Sequence, residues 1–195
     1  GLEAIKRNSE VYFFTPDDLI YKNDDVFANV KLLHLSLENE KEEFSYGVTK
    51  NIKLSKFNVI LMRQDPPFNM AYITATHILE KISSKTLIIN NPFYVRNSPE
   101  KIFVTEFSKF MPETLITRDL NEIFKFKKKN KNIIMKPLYG NGGEGVFFIK
   151  ENDSNFNVIV ENFLKNFDEK IIIQKFIPEV KKGDKRIILI DGKIA

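Results

Sequence analysis

The sequence predicts an α/β protein in two parts, an α/β part followed by an α+β part, and three observations carry that expectation. Short apolar runs of strand length recur early in the chain, at Val11 to Phe14, Lys56 to Arg63 and Thr86 to Ile89. Between the last two, Asn69 to Ile82 places Met70, Ile73, Ile78 and Leu79 at roughly helical spacing. From about Asn97 to Lys101 the pattern changes to strands separated by turns and helices, which divides the chain into residues 1–97 and 98–195.

Taken in order, Gly1 to Asn8 reads as the end of a helix, and Val11 to Phe14 as a buried strand closed by Thr15-Pro16. A buried strand after a helix suggests a parallel βαβ unit whose first strand lies upstream of residue 1. Alternation at Val26, Ala28, Val30 and Leu32 predicts an antiparallel meander from Leu19 to Val48, with Glu38 to Glu43 as a charged turn. The run from Lys56 to Ile89 then reads β-α-β. Ser98 followed by Pro99 is a helix start, because the hydroxyl can cap free amides and proline tolerates the first turn; that helix is expected to reach about Phe110. Beyond it come a strand at Thr114 to Thr117, a lysine-rich helix at Leu120 to Lys129, and a strand at Ile133 to Lys136 that runs into a glycine-rich loop. A strand at Val146 to Ile149 leaves the loop. A helix at Asn157 to Phe167, a strand at Ile171 to Gln174, a turn at Lys182-Gly183-Asp184 and a strand at Arg186 to Ile190 follow. Asp191-Gly192-Lys193 makes a hairpin turn whose return strand is cut short at Ala195.

Composition excludes several classes. With 30 basic and 26 acidic residues the net charge is only +4, and the lysines are scattered, which argues against a nucleic-acid partner. The run Lys125 to Lys131 reads as a solvated helix face. No apolar stretch approaches the roughly 20 residues that span a bilayer, and Gly1 to Glu10 lacks a signal-peptide core, so a cytoplasmic protein with no membrane partner is expected. Cysteine is absent, which rules out a thiolate nucleophile or a thiolate metal site, and His34 and His77 stand at no metal-ligand spacing. The abundance of Lys, Asn, Ile and Phe suggests an AT-rich, bacterial source.

The stretch Lys136-Pro137-Leu138-Tyr139-Gly140-Asn141-Gly142-Gly143-Glu144-Gly145-Val146 sets four glycines between two apolar strands, the first ending in lysine. Glycines permit positive φ and close approach, so successive amides can face phosphate oxygens beside the Lys136 charge. The loop is neither a Walker A motif nor a dinucleotide fingerprint, because no helix is expected after it. Read alone, it is a phosphate cradle or simply a mobile hairpin. Arg63 ends an apolar strand and is followed by Gln64-Asp65-Pro66-Pro67, at the strand end where open α/β sheets bind ligands; a rigid turn with a local ion pair is the plainer reading. Lys101 and Arg186 are each a ligand contact or a solvated charge. Gln174-Lys175-Phe176-Ile177-Pro178 is a binding strand or an edge strand leaving the core.

Met62-Arg63-Gln64-Asp65-Pro66-Pro67-Phe68, Asn90-Asn91-Pro92, Met111-Pro112-Glu113-Thr114-Leu115, Lys136-Pro137 with its glycine loop, and Gly183-Asp184-Lys185-Arg186 occur in the order seen in prokaryotic glutathione synthetases. Over nearly its whole length the chain resembles that family, whose fold is an amino-terminal α/β domain followed by an ATP-grasp domain. The resemblance implies a fragment lacking both ends of an ATP-dependent carboxylate-amine ligase that joins glycine to γ-glutamylcysteine through an acylphosphate.

By resemblance, Lys101 and Lys136 lie on the ATP phosphates, and Gly140, Gly142, Gly143 and Gly145 belong to the loop covering them. Gln174, Lys175, Phe176 and Ile177 form the hinge strand that reads the adenine, with Ile134 on its face and Asp184 near the nucleotide. Arg63 and Arg186 hold the substrate carboxylate or the transferring phosphate, with Asp65 beside the substrate. The family's magnesium ligands, an Asp and a Glu-x-Asn pair, fall beyond Ala195, so no metal site is expected here and the fragment is expected to be inactive alone. The family is usually a homotetramer. Two other readings stay open: another ATP-grasp amino-acid ligase, which the Arg63 to Phe68 string disfavours, and a non-catalytic nucleotide-binding paralogue.

Overall fold

The computed structural model describes residues 1–38, 41–140 and 142–195. They form two compact units, 1–103 and 104–195. In the first, helix α1 (Leu2–Lys6) leads to strand β1 (Tyr12–Phe13), a 3-10 turn at Pro16–Asp18, and strands β2 (Leu19–Lys22), β3 (Asp25–Glu38) and β4 (Lys41–Lys53). Strand β3 pairs antiparallel with β1, β2 and β4. Its alternation sends Val26, Ala28 and Val30 into the core with no exposed surface. The expected meander is therefore present, but the charged turn expected over Glu38 to Glu43 is shorter, because Glu38 ends β3 and residues 41–43 already belong to β4; residues 39–40 lie outside the described residues.

Strand β5 (Val59–Leu61), helix α2 (Met70–Glu80) and strand β6 (Leu87–Ile89) make the expected β-α-β unit, with β5 and β6 parallel. The Asn69 side chain caps α2 by accepting from the Tyr72 amide at 3.1 Å. Ile60, Met62, Leu79, Ile82 and Ile88 join the β3 residues and Leu54 in one core. Helix α3 (Pro92–Asn97), capped by Asn91, is tied back to α2 by an Arg96–Glu80 ion pair at 2.6 Å, and the short helix α4 (Glu100–Phe103) follows.

Three further expectations for this unit need correction. Val11 to Phe14 is not a buried parallel strand: β1 is two residues long, antiparallel to β3, and Phe13 is 44% exposed. A continuous apolar run does not name its partner, and the long β3 lies within reach. The strand expected over Lys56 to Arg63 shortens to β5, of which only Ile60 is buried. The helix expected from Ser98 to Phe110 is one turn of α4 followed by a 3-10 stretch, Val104–Phe110, broken where Phe107 has φ −113° and ψ 37°. The β-branched pair Val104-Thr105 disfavours continuing the α-helix there.

The second unit is a four-stranded antiparallel sheet in the order β7-β10-β8-β9, formed by β7 (Thr114–Thr117), β8 (Ile133–Pro137), β9 (Phe147–Ile149) and β10 (Ile171–Lys175). Helices α5 (Leu120–Asn130) and α6 (Phe156–Asn166) supply Ile123, Phe126, Phe156, Val160 and Phe163 to a core with Ile133, Met135, Ile149, Ile171 and Ile173. Each helix buries one stripe, as its 3.6-residue period dictates. Arg118 locks the end of α6, donating to the carbonyls of Leu164 (2.8 Å), Phe167 and Glu169 (3.0 Å). The chain ends in a hairpin of β11 (Leu189–Ile190) and β12 (Lys193–Ile194).

Two corrections apply here as well. The strand expected from Arg186 begins only at Leu189, because only Leu189 and Ile190 have paired partners; Arg186 lies in irregular, exposed chain. The lysine-rich face of α5 is not wholly solvated. Lys127 is 7% exposed, and its Nζ donates to the carbonyls of Lys131 at 2.6 Å and Glu151 at 2.8 Å. Burial lowers the Lys127 pKa, against the opposing pull of Glu151 and Asp153.

Candidate functional site

The register of the second sheet decides which side chains share a face. On β8, Ile133, Met135 and Pro137 are buried, while Ile134 and Lys136 between them are half-buried and point the other way. Paired residues of neighbouring strands stand on the same side. Thr114, Gln174, Ile134 and Phe148 therefore form one row across all four strands, since Gln174 pairs with both Thr114 and Ile134, and Ile134 with Phe148. The adjacent row is Ile116, Ile172 and Lys136. Lys136 and Ile134, singled out from the sequence, thus project from the face opposite the core that the helices share with Ile133 and Met135, two residues apart on one strand.

Along one end of this face runs the chain leaving β10. The Phe176 ring lies 4.2 Å from that of Phe148, continuing the apolar surface beyond Ile134. The Lys175 amide donates to the Glu113 carbonyl at 2.9 Å and the Phe176 amide to the Asn132 carbonyl at 3.0 Å. Among the described residues the Ile177 amide has no such protein acceptor, and Ile177 is 46% exposed. The Ile177 carbonyl accepts from Val180 at 3.3 Å as the chain turns into a 3-10 segment.

Beside the β7 end of the face lies a cavity of about 390 Å³ lined by Thr105, Ser108, Met111, Pro112, Glu113, Thr114 and Ile116. The Glu113 carboxyl is held below its ordinary pKa, chiefly by a hydrogen bond from Lys129 Nζ at 2.6 Å. Gln174 Nε2 donates to Thr114 Oγ1 at 2.9 Å, joining β10 to β7 through side chains as well as backbone.

The glycine loop connects β8 to β9 as a hairpin. Gly142, Gly143 and Gly145 have φ of +62°, +80° and +68°, values that side chains strongly disfavour. At Gly145 a Cβ would also stand 2.9 Å from Pro137 Cγ, whereas at Gly142 and Gly143 it would meet nothing within 4 Å. One end of the loop is packed down on the strand and its crown opens to solvent. Gly140 is exposed with φ +153°, and Asn141 lies outside the described residues.

The remaining sequence candidates are more scattered. Arg63 and Asp65 are both exposed just after β5 and form no ion pair with each other among the described residues, which removes the local-pair reading. A cis peptide joins Pro66 to Pro67 beside them. Lys101, on α4, is half-buried and belongs to the first unit, as Arg63 does. Asp184 and Arg186 lie exposed after Gly183, which has φ +100°. Among the described residues no group of three or more His, Asp or Glu could hold a metal ion. Phe148 lies in no motif and Thr114 lies in one, Met111 to Leu115, without a site role assigned to it; pairing the alternation of four strands would have set both beside Ile134 and Gln174.

Comparison with known proteins divides the chain a few residues earlier than its two compact units do. The model of the prokaryotic glutathione synthetase N-terminal domain matches residues 1–96, and that of the prokaryotic glutathione synthetase ATP-grasp domain matches residues 100–195. The glutathione synthetase of Agrobacterium fabrum is 48% identical over 193 residues, 99% of this chain and 60% of its own length. That of Mesorhizobium japonicum is 50% identical over 194 residues, again 99% of this chain and 61% of its own. The chain therefore spans about three fifths of the length of these relatives. Among solved structures, the D-cycloserine synthetase DcsG aligns over 66% of this chain and 47% of its own at 15% identity, with a TM-score of 0.48. With two family models dividing it almost end to end and relatives near one-half identity along its whole length, the chain belongs to the prokaryotic glutathione synthetase family.

Proposed function

We propose that residues 104–195 carry the nucleotide-binding part of a glutathione synthetase, and that the complete enzyme uses ATP to join glycine to the cysteinyl carboxylate of γ-glutamylcysteine. The single observation that carries this reading is Lys136. It stands half-buried on the face of β8 opposite the core formed with the helices, and its strand leads into a hairpin in which Gly142, Gly143 and Gly145 all hold positive φ. A phosphate fits both features: a fixed ammonium, and a loop without side chains at the positions where backbone must approach.

The nucleotide base stacks on Ile134 and Phe148, and its edge meets the chain at Lys175 to Ile177. Two of the three amides there are already donated to Glu113 and Asn132, so the Ile177 amide is the donor left for a ring nitrogen. Lys136 neutralises phosphate oxygens beside Gly140, Gly142, Gly143 and Gly145, and the family resemblance gives Lys101 the same role. Asp184 stands near the nucleotide. Arg63 and Arg186 act on the substrate carboxylate and on the transferring phosphoryl group, where a planar fork of donors suits both anions, and Asp65 stands beside the substrate.

ATP supplies the phosphoryl group that turns the carboxylate into an acylphosphate, which the glycine amine then attacks. The chain's own contribution is positioning and charge stabilisation, with no protein nucleophile required. Magnesium is expected in such a reaction, but the described residues offer no cluster that fits it. A cytoplasmic homo-oligomer, without nucleic acid or membrane, suits small-molecule substrates; no helix among the described residues is long and apolar enough to cross a membrane.

The test is formation of ADP and glutathione by the gene product containing these residues, with ATP, magnesium, γ-glutamylcysteine and glycine each omitted in turn. Turnover is expected only with all four. Nucleotide binding without turnover would favour a non-catalytic relative, and turnover with a different amine or acid would favour another ATP-grasp ligase.

A further inference from the structure

The row Thr114, Gln174, Ile134 and Phe148 places an amide side chain beside the surface assigned to the base. Gln174 pairs with Thr114 on β7, which lines the cavity, and with Ile134 on β8, which belongs to the apolar face. A free side-chain amide can turn over and exchange its donor and acceptor ends. Here it is fixed by a chain of two hydrogen bonds. Thr114 Oγ1 donates its one proton to the Pro112 carbonyl at 2.8 Å. The hydroxyl can then only accept, and it accepts from Gln174 Nε2 at 2.9 Å. Were the amide turned over, Oε1 would face a lone pair and the contact would be repulsive. Gln174 Oε1 is consequently left as an acceptor, and among the described residues no protein donor is bonded to it.

We propose that Thr114 is a positioning residue for base selection: it holds the Gln174 amide with Oε1 toward the base, so that the site favours a purine with an exocyclic amine over one with a 6-oxo group. The proposal rests on the nucleotide-site reading above. The chemistry follows from the pairing rules: an amine at the purine 6-position donates to Oε1, whereas a carbonyl there sets acceptor against acceptor. Without Thr114 the amide turns freely, offers Nε2 to a 6-oxo purine, and the distinction weakens. Thr114 acts through Gln174 and touches no reacting atom.

The experiment is calorimetric titration of the whole chain with ATP and with inosine triphosphate, which carries a 6-oxo group in place of the amine. The quantity read is the ratio of the two affinities, which a merely structural role for Thr114 would not move. The wild type is expected to prefer ATP by about tenfold or more. Thr114→Val should reduce that ratio by about tenfold, and Thr114→Ser, which keeps the hydroxyl, should preserve it. Gln174→Glu offers an acceptor in either orientation, so it should keep the preference and make it indifferent to Thr114→Val. Gln174→Leu tests the acceptor without touching Thr114 and should abolish the preference even if Thr114→Val fails to fold. A ratio unchanged in Thr114→Val and Gln174→Leu would overturn this proposal alone. Binding of neither nucleotide by the wild type would overturn the nucleotide-site reading and this proposal with it.

Discussion

Lys136 and Gly145 show how single residues set the site. Lys136 is flanked on β8 by Met135, fully buried, and by buried Pro137, so the period of a strand turns its side chain away from the helices. The sequence showed the lysine and the glycines as a candidate phosphate site; it did not show which glycines the backbone requires. That depends on contacts that form only on folding. At Gly145 both the positive φ and the closeness of Pro137 exclude a side chain, while at Gly143 only the φ does. Gly143→Ala is therefore expected to cost about 1 kcal/mol and Gly145→Ala about 2 kcal/mol or more, because the second also forces the hairpin from its strand. Urea unfolding of the two variants checks the order; equal losses would mean that the packed end of the loop yields as readily as its crown. Lys127 illustrates the opposite limit: in sequence it is one more lysine in a charged run, and only the folded chain brings the Lys131 and Glu151 carbonyls to its Nζ.

At the scale of elements, periodicity was legible where one element decides its own burial and failed where a partner decides. Helices α2 and α5, the strands of the second sheet and the parallel β5-β6 pair follow from spacing and caps. The two-residue β1, the broken stretch after α4 and the late start of β11 depend on which neighbour supplies hydrogen bonds. The long hairpin of β3 and β4 is held at its open end by Asp25, whose carboxylate meets Lys53 Nζ at 2.7 Å, with Lys85 at 3.9 Å. The Lys53 hydrogen bond is the largest influence on Asp25, and with both lysine charges it lowers the pKa below the ordinary 3.8 despite desolvation. A carboxyl whose pKa is depressed by folding adds stability that is fully present above the unfolded value. That stability is lost as pH falls through the folded value, because the unfolded chain takes up the proton first. The stability gap between wild type and Asp25→Asn should therefore be constant at neutral pH and shrink below about pH 4. Denaturant midpoints across that range check it; a gap that widened on acidification would contradict the assignment.

At the scale of the molecule, two units each enclose their own core, one around β3, β5, α2 and β6 and the other between the second sheet and helices α5 and α6. The two family models meet between residues 96 and 100, a few residues before the boundary between the units. The candidate residues divide accordingly: Lys101, Arg63 and Asp65 belong to the first unit, while Lys136, the glycine loop and the hinge of the proposed nucleotide site belong to the second. The ordered motifs made the family legible in the sequence, whereas the row across the second sheet needed the pairing register. The central claim is that this row, with Lys136 and its loop, binds ATP. Its most direct measurement is calorimetric titration of the chain with ATP, as wild type and as Lys136→Ala. Binding by the wild type, weakened about 10- to 100-fold in a variant that still unfolds cooperatively, is the predicted result. Binding of equal strength in the two would contradict the account.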